Sequence, residues 1–374
     1  GYPNKLPMLD IHTVGAGGGS IAWFDTGGAL RVGPRSAGAN PGPASYGHGG
    51  TEATVTDANV VLGRLLPEAF LGGTMHLDTE KARNALTSIA QHMGTSLEEA
   101  ALGIIRIVNA NMEAAIRVIS VEKGYDPRNF ALVAFGGAGP LHACELATTL
   151  QIPRVFVPTT PGVLSALGML AADILKDYVN TVMLSTEHAQ EAIQNTFMQL
   201  AQRGHTDMLR EGFAPEQVII ERYLDLRYVG QSFELIVPFE ENLNKAIDHF
   251  HRLHEQRFGY SDPDERVQVV NVRVKARGLA TRPELSQYTE ERPSIPSPIM
   301  MRDVIFAGLN EPITCHTPVY ERDSLSVGST IAGPAIVIQY DTTTVIPPQW
   351  YARVDSVLHL IIEQVAERAE EVEL

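Results

Sequence analysis

Asp10-Ile-His-Thr-Val-Gly-Ala-Gly-Gly-Gly-Ser20 decides the reading of this chain: an apolar, β-branched strand is expected to run directly into a loop with four glycines. Gly15, Gly17, Gly18 and Gly19 have no Cβ, so the backbone can turn with positive φ and present consecutive N–H groups to an anion such as phosphate. Ser20 adds a hydroxyl donor. Asp10 and His12 alternate on the expected strand and point to one face. There Asp10 can ligate magnesium as a hard oxygen donor, and His12 can orient a substrate or move a proton. The same two residues also read as polar groups bonded to nearby backbone. The continuation, Ile21–Phe24 and Asp25-Thr-Gly-Gly28, reads as a β-hairpin with a glycine turn. Both readings stand at this point.

A second glycine cluster repeats the arrangement. Phe130-Ala-Leu-Val-Ala-Phe135 is an apolar run of strand length that ends in Gly136-Gly-Ala-Gly-Pro140 before a helical pattern over Leu141–Leu150. Pro140 suits the first turn of that helix, where a missing N–H costs nothing. Gly137 and Gly139 let a flat or charged ligand lie on the backbone, and a positive φ is expected to matter at Gly137. An ordinary βα turn in a buried sheet is the plainer alternative.

The 374 residues suffice for two or three domains with sizeable cores. The net charge of −15, with no Lys/Arg run, disfavours nucleic acid as a partner. No uninterrupted apolar run reaches the ~18–20 residues needed to span a bilayer, and no leader is apparent. Cys144 and Cys315 are far apart and form no CxxC pair, which disfavours a disulfide framework and a thiolate zinc site. A soluble cytoplasmic enzyme is the expectation.

Three parts are expected along the chain. Residues 1–175 carry the motifs and include a helix over Ser96–Lys123, where Leu102, Ile105, Val108, Met112, Ala115, Ile116 and Ile119 recur at helical spacing. Residues 176–285 read as an α+β domain, with helices over 187–212 and Leu243–Phe258 and strands over Val218–Arg227, Ser232–Pro238 and Val267–Arg277. Residues 286–374 follow a Pro-rich linker at 292–298, read as a β-rich domain, and end in an acidic helix over 363–373. His249, His251 and His254 lie on a helix whose exposed face is a better reading than a metal site. Asp57, in Thr54-Val-Thr-Asp-Ala-Asn59, reads as a helix cap more readily than as a ligand to substrate or to a magnesium-bound water. Arg35, Ser36 and Tyr46, in the Gly/Pro-rich loop 33–50, can cover a ligand or pack as a rigid loop.

Several of these segments together resemble the hydantoinase A/5-oxoprolinase family: Asp10–Ala22, Gly33–Tyr46, Thr54–Arg64, Phe135–Pro140 and Pro158–Gly168. Leu226–Gln231, Gly333–Val337 and Tyr340–Thr344 extend the similarity to nearly the whole chain. The resemblance implies an α/β lobe of the actin, sugar-kinase and heat-shock-chaperone ATPase type, ribonuclease-H-like, in which nucleotide binds between two lobes. Gly15–Ser20 is then its second phosphate loop, Gly136, Gly137, Ala138 and Gly139 lie in its adenosine motif, and Gly162–Ala171 is the connecting helix. One departure is that Gly15, not an acid, immediately precedes the loop glycines, with Asp10 and His12 upstream. Family members are much longer and open with a first phosphate loop that has no counterpart here. The chain is therefore expected to be the C-terminal half, lacking an N-terminal lobe and holding one wall of the active site.

The activity so implied is ATP- and Mg2+-dependent opening of a cyclic amide such as a hydantoin, N-methylhydantoin or 5-oxoproline. The ring carbonyl is activated by phosphorylation and a B-type hydantoinase subunit or domain completes hydrolysis within an oligomer. An acetone-type carboxylase subunit, phosphorylating a ketone enol, is the alternative. A nucleotide-binding or subunit-docking module without turnover of its own is the reading from another class.

Overall fold

The computed structural model describes residues 11–186, 189–240, 242–283, 286–288 and 295–365. The chain divides into two compact units, one formed by residues up to 165 together with those from 285 onward, the other by 166–284.

The first unit opens with the expected hairpin, β1 (Ser20–Phe24) and β2 (Leu30–Ser36), paired antiparallel. Its turn is set by Asp25, whose Oδ1 accepts from the amides of Gly27 and Ala29, both at 3.0 Å. No strand forms over residues 11–14, so the expected strand leading into the glycine loop is corrected: regular structure begins at Ser20, after the loop. Three helices follow, α1 (Val55–Val61), α2 (Thr79–Met93) and α3 (Leu97–Ile119). Helix α3 starts at a capping box, in which Ser96 accepts from Glu99 N and Glu99 accepts from Ser96 N. Leu102, Ile105 and Val108 bury its apolar stripe.

The second glycine cluster lies between β3 (Ala131–Val133) and α4 (Gly139–Leu150). Strand β3 is an edge strand rather than part of a buried sheet, and Phe130, Val133 and Phe135 are exposed. Beside it in parallel runs β4 (Arg154–Val157), and α5 (Leu164–Ala171) then carries the chain out of this unit.

The second unit contains β5 (Ile174–Ser185), α6 (Gln190–Arg210), β6 (Val218–Tyr228), β7 (Leu235–Pro238), α7 (Leu243–Phe258) and β8 (Val267–Gly278). Its sheet is antiparallel in the order β5-β8-β6-β7. Alternate residues of β8 are buried, as a sheet with one covered face requires. Phe197 of α6 and Phe250 of α7 anchor the core.

After residue 294 the chain returns to the first unit with β9 (Met300–Ala307), β10 (Pro312–Glu321), β11 (Thr330–Ala332), β12 (Ala335–Gln339), β13 (Thr342–Ile346), β14 (Trp350–Val354) and β15 (Leu360–Gln364). These strands do not form the separate third domain expected over 286–374. Strand β15 pairs antiparallel with β4, so β14, β15, β4 and β3 share one sheet in the order β11-β14-β15-β4-β3. The remaining sheet is β13-β12-β10-β9. The expected acidic helix over 363–373 is replaced by strand at Glu363 and Gln364, and its remainder beyond 365 lies outside the described residues. Among the described residues, no helix is long and apolar enough to cross a membrane.

Candidate functional site

A cavity of about 290 Å3 in the first unit is lined by Gly18 and Gly19 of the first loop and by Gly137 and Ala138 of the second. Two glycine clusters far apart in sequence thus meet on one space.

The first loop is held by its own backbone and by α1. Ser20 N donates to Gly17 O, and Gly17 N donates to Ser20 Oγ, each at 3.0 Å. Gly18 O accepts from Thr56 N at 2.8 Å and from Thr56 Oγ1 at 3.0 Å, while Gly19 O accepts from Ala37 N at 2.9 Å. The carbonyls are therefore spent on the scaffold. The amides of Gly18 and Gly19 have no acceptor among the described residues. A Cβ on Gly18 would come within 2.8 Å of Thr56 Oγ1, and one on Gly19 within 2.8 Å of Ser36 Oγ.

Other expected members of this loop lie elsewhere. Ser20 is buried, its hydroxyl engaged by Gly17, and it does not line the cavity. Gly17 also stands outside the lining. Gly15 and His12 border a separate depression with Trp23, Asp25 and Arg31. Gly15 packs on Pro34, which a Cβ would strike at 2.7 Å. Asp10 lies outside the described residues.

In the second loop the left-handed residue is Gly136, at φ +79°, and not Gly137 as expected. The Gly136 amide donates to Pro161 O at 2.8 Å. Helix α4 begins at Gly139 with Pro140 in its first turn and no side-chain cap. Among the described residues, the amides of Gly137, Ala138 and Gly139 have no acceptor, and this helix end carries the positive end of the α4 dipole.

The third wall was missed by sequence reasoning. Gln339 and Thr342 pair across the β12–β13 hairpin, whose two-residue turn, Tyr340-Asp341, lines the cavity. Asp341 is the one charged side chain in that lining among the described residues. Its Oδ2 accepts from Gly162 N at 2.8 Å, and its buried Oδ1 has no partner. The available signal was a polar run, Asp341-Thr-Thr-Thr344, between the apolar stretches 335–338 and 345–346; the three threonines open β13 and are buried.

Asp57 caps rather than reaches for a ligand, as the plainer reading held, but from the third helical position, with Thr54 as the cap. Its carboxylate accepts from the amides of Ala44, Ser45 and Thr54 and from Thr54 Oγ1. Tyr46 lines the cavity, and burial holds its phenol above the ordinary value. Arg35 is paired with Glu52 at the surface, and Ser36 Oγ accepts from Gly38 N.

A partly buried polar chain links α4 to α3 and Arg64. The wholly buried Arg64 stands 2.9 Å from Glu145. Glu145 accepts from Asn109 Nδ2 at 2.6 Å, and Asn109 Oδ1 lies 2.8 Å from His142 Nδ1. Because the amide nitrogen of Asn109 is committed to Glu145, His142 donates through Nδ1 and leaves Nε2 as a bare acceptor. Burial pulls the His142 pKa down to about 4.

In the second unit, the helix face carrying His251 and His254 is packed rather than exposed. His251 Nδ1 lies 2.7 Å from Tyr228 Oη and His254 Nδ1 2.8 Å from Tyr260 O.

Residues 1–178 match the family model described as hydantoinase/oxoprolinase, and residues 183–364 match the hydantoinase/oxoprolinase C-terminal domain. The chain is 44% identical over 365 residues to an uncharacterised protein of Methanocaldococcus jannaschii, covering 97% of this chain and 52% of that one. It is 38% identical over 366 residues to the caprolactamase alpha subunit of Pseudomonas jessenii, covering 95% of this chain and 52% of that subunit. A solved nucleotide-free acetone carboxylase, from work on ATP-dependent acetone carboxylation, superposes with a TM-score of 0.83 at 25% identity, over 94% of this chain and 52% of that one. The chain thus spans about half the length of these relatives.

Proposed function

The chain belongs to the hydantoinase/oxoprolinase family, and on that premise we propose that it supplies a nucleotide-binding wall of an ATP-dependent enzyme that opens a cyclic amide. The observation that carries the reading is the meeting of the two glycine loops on one cavity, each with amides that no described residue engages. Such amides, together with the α4 dipole, stabilise an anion without a basic side chain. The close packing of Gly18 and Gly19 keeps the backbone itself, rather than side chains, against the ligand.

Amide resonance makes a ring carbonyl a poor electrophile. Transfer of the γ-phosphoryl group to the carbonyl oxygen forms an O–P bond, releases ADP and turns that oxygen into a leaving group. Water then adds to the carbon, the C–N bond opens as the nitrogen takes a proton and leaves, and a second water hydrolyses the resulting acyl phosphate to the carboxylate and phosphate. The loop amides stabilise charge on the transferring phosphoryl group. Bound Mg2+ would neutralise part of the same charge, and Asp341, a hard oxygen donor with one bare oxygen, is the described cavity side chain suited to hold it. His12 borders the second depression together with Gly15 and does not line the cavity.

The finer arrangement, the second lobe of an actin-like ATPase, belongs to this proposal and is supported by the order strand β3, glycine turn, helix α4. So do a B-type hydantoinase partner and assembly into an oligomer, supported by the subunit naming of the caprolactamase relative. The carboxylase-type alternative is favoured by one observation, the TM-score of 0.83 to acetone carboxylase.

A coupled ADP-release assay on the full-length protein with its B-type partner tests the proposal. ADP release that depends on a lactam or hydantoin is expected. Release only with a ketone and bicarbonate would favour the carboxylase reading, and no release with either would leave a docking module.

A further inference from the structure

Asn59 stands in the wall of the same cavity, on the last turn of α1, and is 1% exposed. Its Nδ2 donates to Val55 O at 3.0 Å, one turn back. That bond fixes the amide, because the flipped side chain would set Oδ1 against the Val55 carbonyl, acceptor against acceptor. Oδ1 is consequently left without a donor in a buried position. A buried, unpaired amide oxygen costs stability, and native structures keep such groups where something else completes them. The cavity wall also includes Leu65, Phe70 and Leu141, an apolar surface suited to ring methylenes, together with the glycine amides.

We propose that Asn59 Oδ1 accepts the ring N–H of the cyclic amide whose carbonyl is phosphorylated. The inference rests on the functional reading above and adds the residue that selects the substrate. A small-ring amide is cis, so its N–H and C=O project to the same side, and a ring bound by its N–H presents its carbonyl oxygen along a defined direction. When that oxygen attacks the γ-phosphorus, an O–P bond forms, the bond to the ADP oxygen breaks, and positive charge develops on the ring nitrogen. The N–H proton stays on nitrogen and becomes more acidic, so its bond to Asn59 strengthens as the transition state is approached. Asn59 therefore acts on kcat as well as on binding.

The test compares ε-caprolactam, 5-oxoproline and hydantoin with their ring N-methyl derivatives, methylated at the nitrogen beside the reacting carbonyl. ADP release is measured with the full-length protein and its partner. The wild type is expected to favour the N–H compound in kcat/KM by at least roughly tenfold, the loss expected when a buried acceptor is left unpaired. Asn59→Leu is expected to abolish that preference while the KM for ATP stays unchanged. Equal turnover of N–H and N-methyl compounds by the wild type overturns the proposal without any variant having to fold. An Asn59→Leu variant with weakened ATP binding and an intact N–H preference overturns it in favour of an acceptor for the adenine amino group. Absence of any cyclic-amide-dependent ADP release in the wild type overturns the functional reading itself.

Discussion

The Thr342 hydroxyl donates to the Gly137 carbonyl at 3.0 Å, with the Gly136 carbonyl at 3.3 Å. A strand near the end of the described chain thus holds the glycine loop that opens α4. Thr342→Val preserves shape and removes this donor. The change is expected to cost about 1 kcal/mol and to lower Tm by roughly 2–4 °C, read by thermal denaturation. An unchanged Tm with unchanged nucleotide affinity would mean that the loop is fixed by other contacts.

The two adjacent glycines of that loop separate fold from function. Gly136 is left-handed, so Gly136→Ala introduces strain of about 1–2 kcal/mol. Gly137 is not left-handed, and a Cβ there would meet Asp341 O at 3.5 Å, an ordinary contact. Gly137→Ala is expected to keep the wild-type Tm and to weaken ATP binding about tenfold, ~1.4 kcal/mol, in calorimetric titration of the full-length protein. Unchanged affinity would make this segment a structural turn.

Asp57 makes a contrasting prediction, because its carboxylate is filled by protein donors. Asp57→Ala strands the amides of Ala44, Ser45 and Thr54, and a loss of about 3 kcal/mol is expected. Urea unfolding reads the loss. The folded fraction is expected to bind ATP as the wild type does, and a selective loss of ATP binding at normal stability would put Asp57 in the site.

His142 sets a pH dependence. Burial lowers its pKa from 6.5 to about 4, with the Glu145 carboxylate opposing and the Arg64 cation reinforcing the shift. In the window between these values the unfolded chain binds a proton that the folded chain does not. Stability therefore falls as pH drops through that window, by up to about 3 kcal/mol. Unfolding free energies measured across the range should show this slope in the wild type and lose it in His142→Gln. A wild type without it would imply that His142 is protonated in the fold.

Local signals carried much of the architecture. The Asp25–Gly28 turn, the apolar stripe of the helix that follows Ser96, and both glycine clusters lie within short windows where spacing and backbone chemistry suffice. What escaped depends on contacts far apart in sequence. Pairing of β15 with β4 merges the expected C-terminal domain into the first unit, and no local pattern near Leu360 announces its partner. Asp341 enters the cavity for the same reason. Ser20 looked like a ligand donor because its hydroxyl is free in the sequence, whereas the fold spends it on Gly17. The β-branched run before the loop suggested a strand, but no strand pairing forms over residues 11–14. Asn59 gave no sign of its unpaired oxygen, which follows from its bond to Val55 and its place in the wall.

Amide hydrogen exchange of the full-length protein, with and without saturating Mg-ATP, tests the central claim that both glycine loops hold one nucleotide. The account predicts that exchange at Gly18 and Gly19 and at Gly137, Ala138 and Gly139 slows together at the same nucleotide concentration. Protection confined to one loop, or to neither at a concentration that supports ADP release, would contradict it.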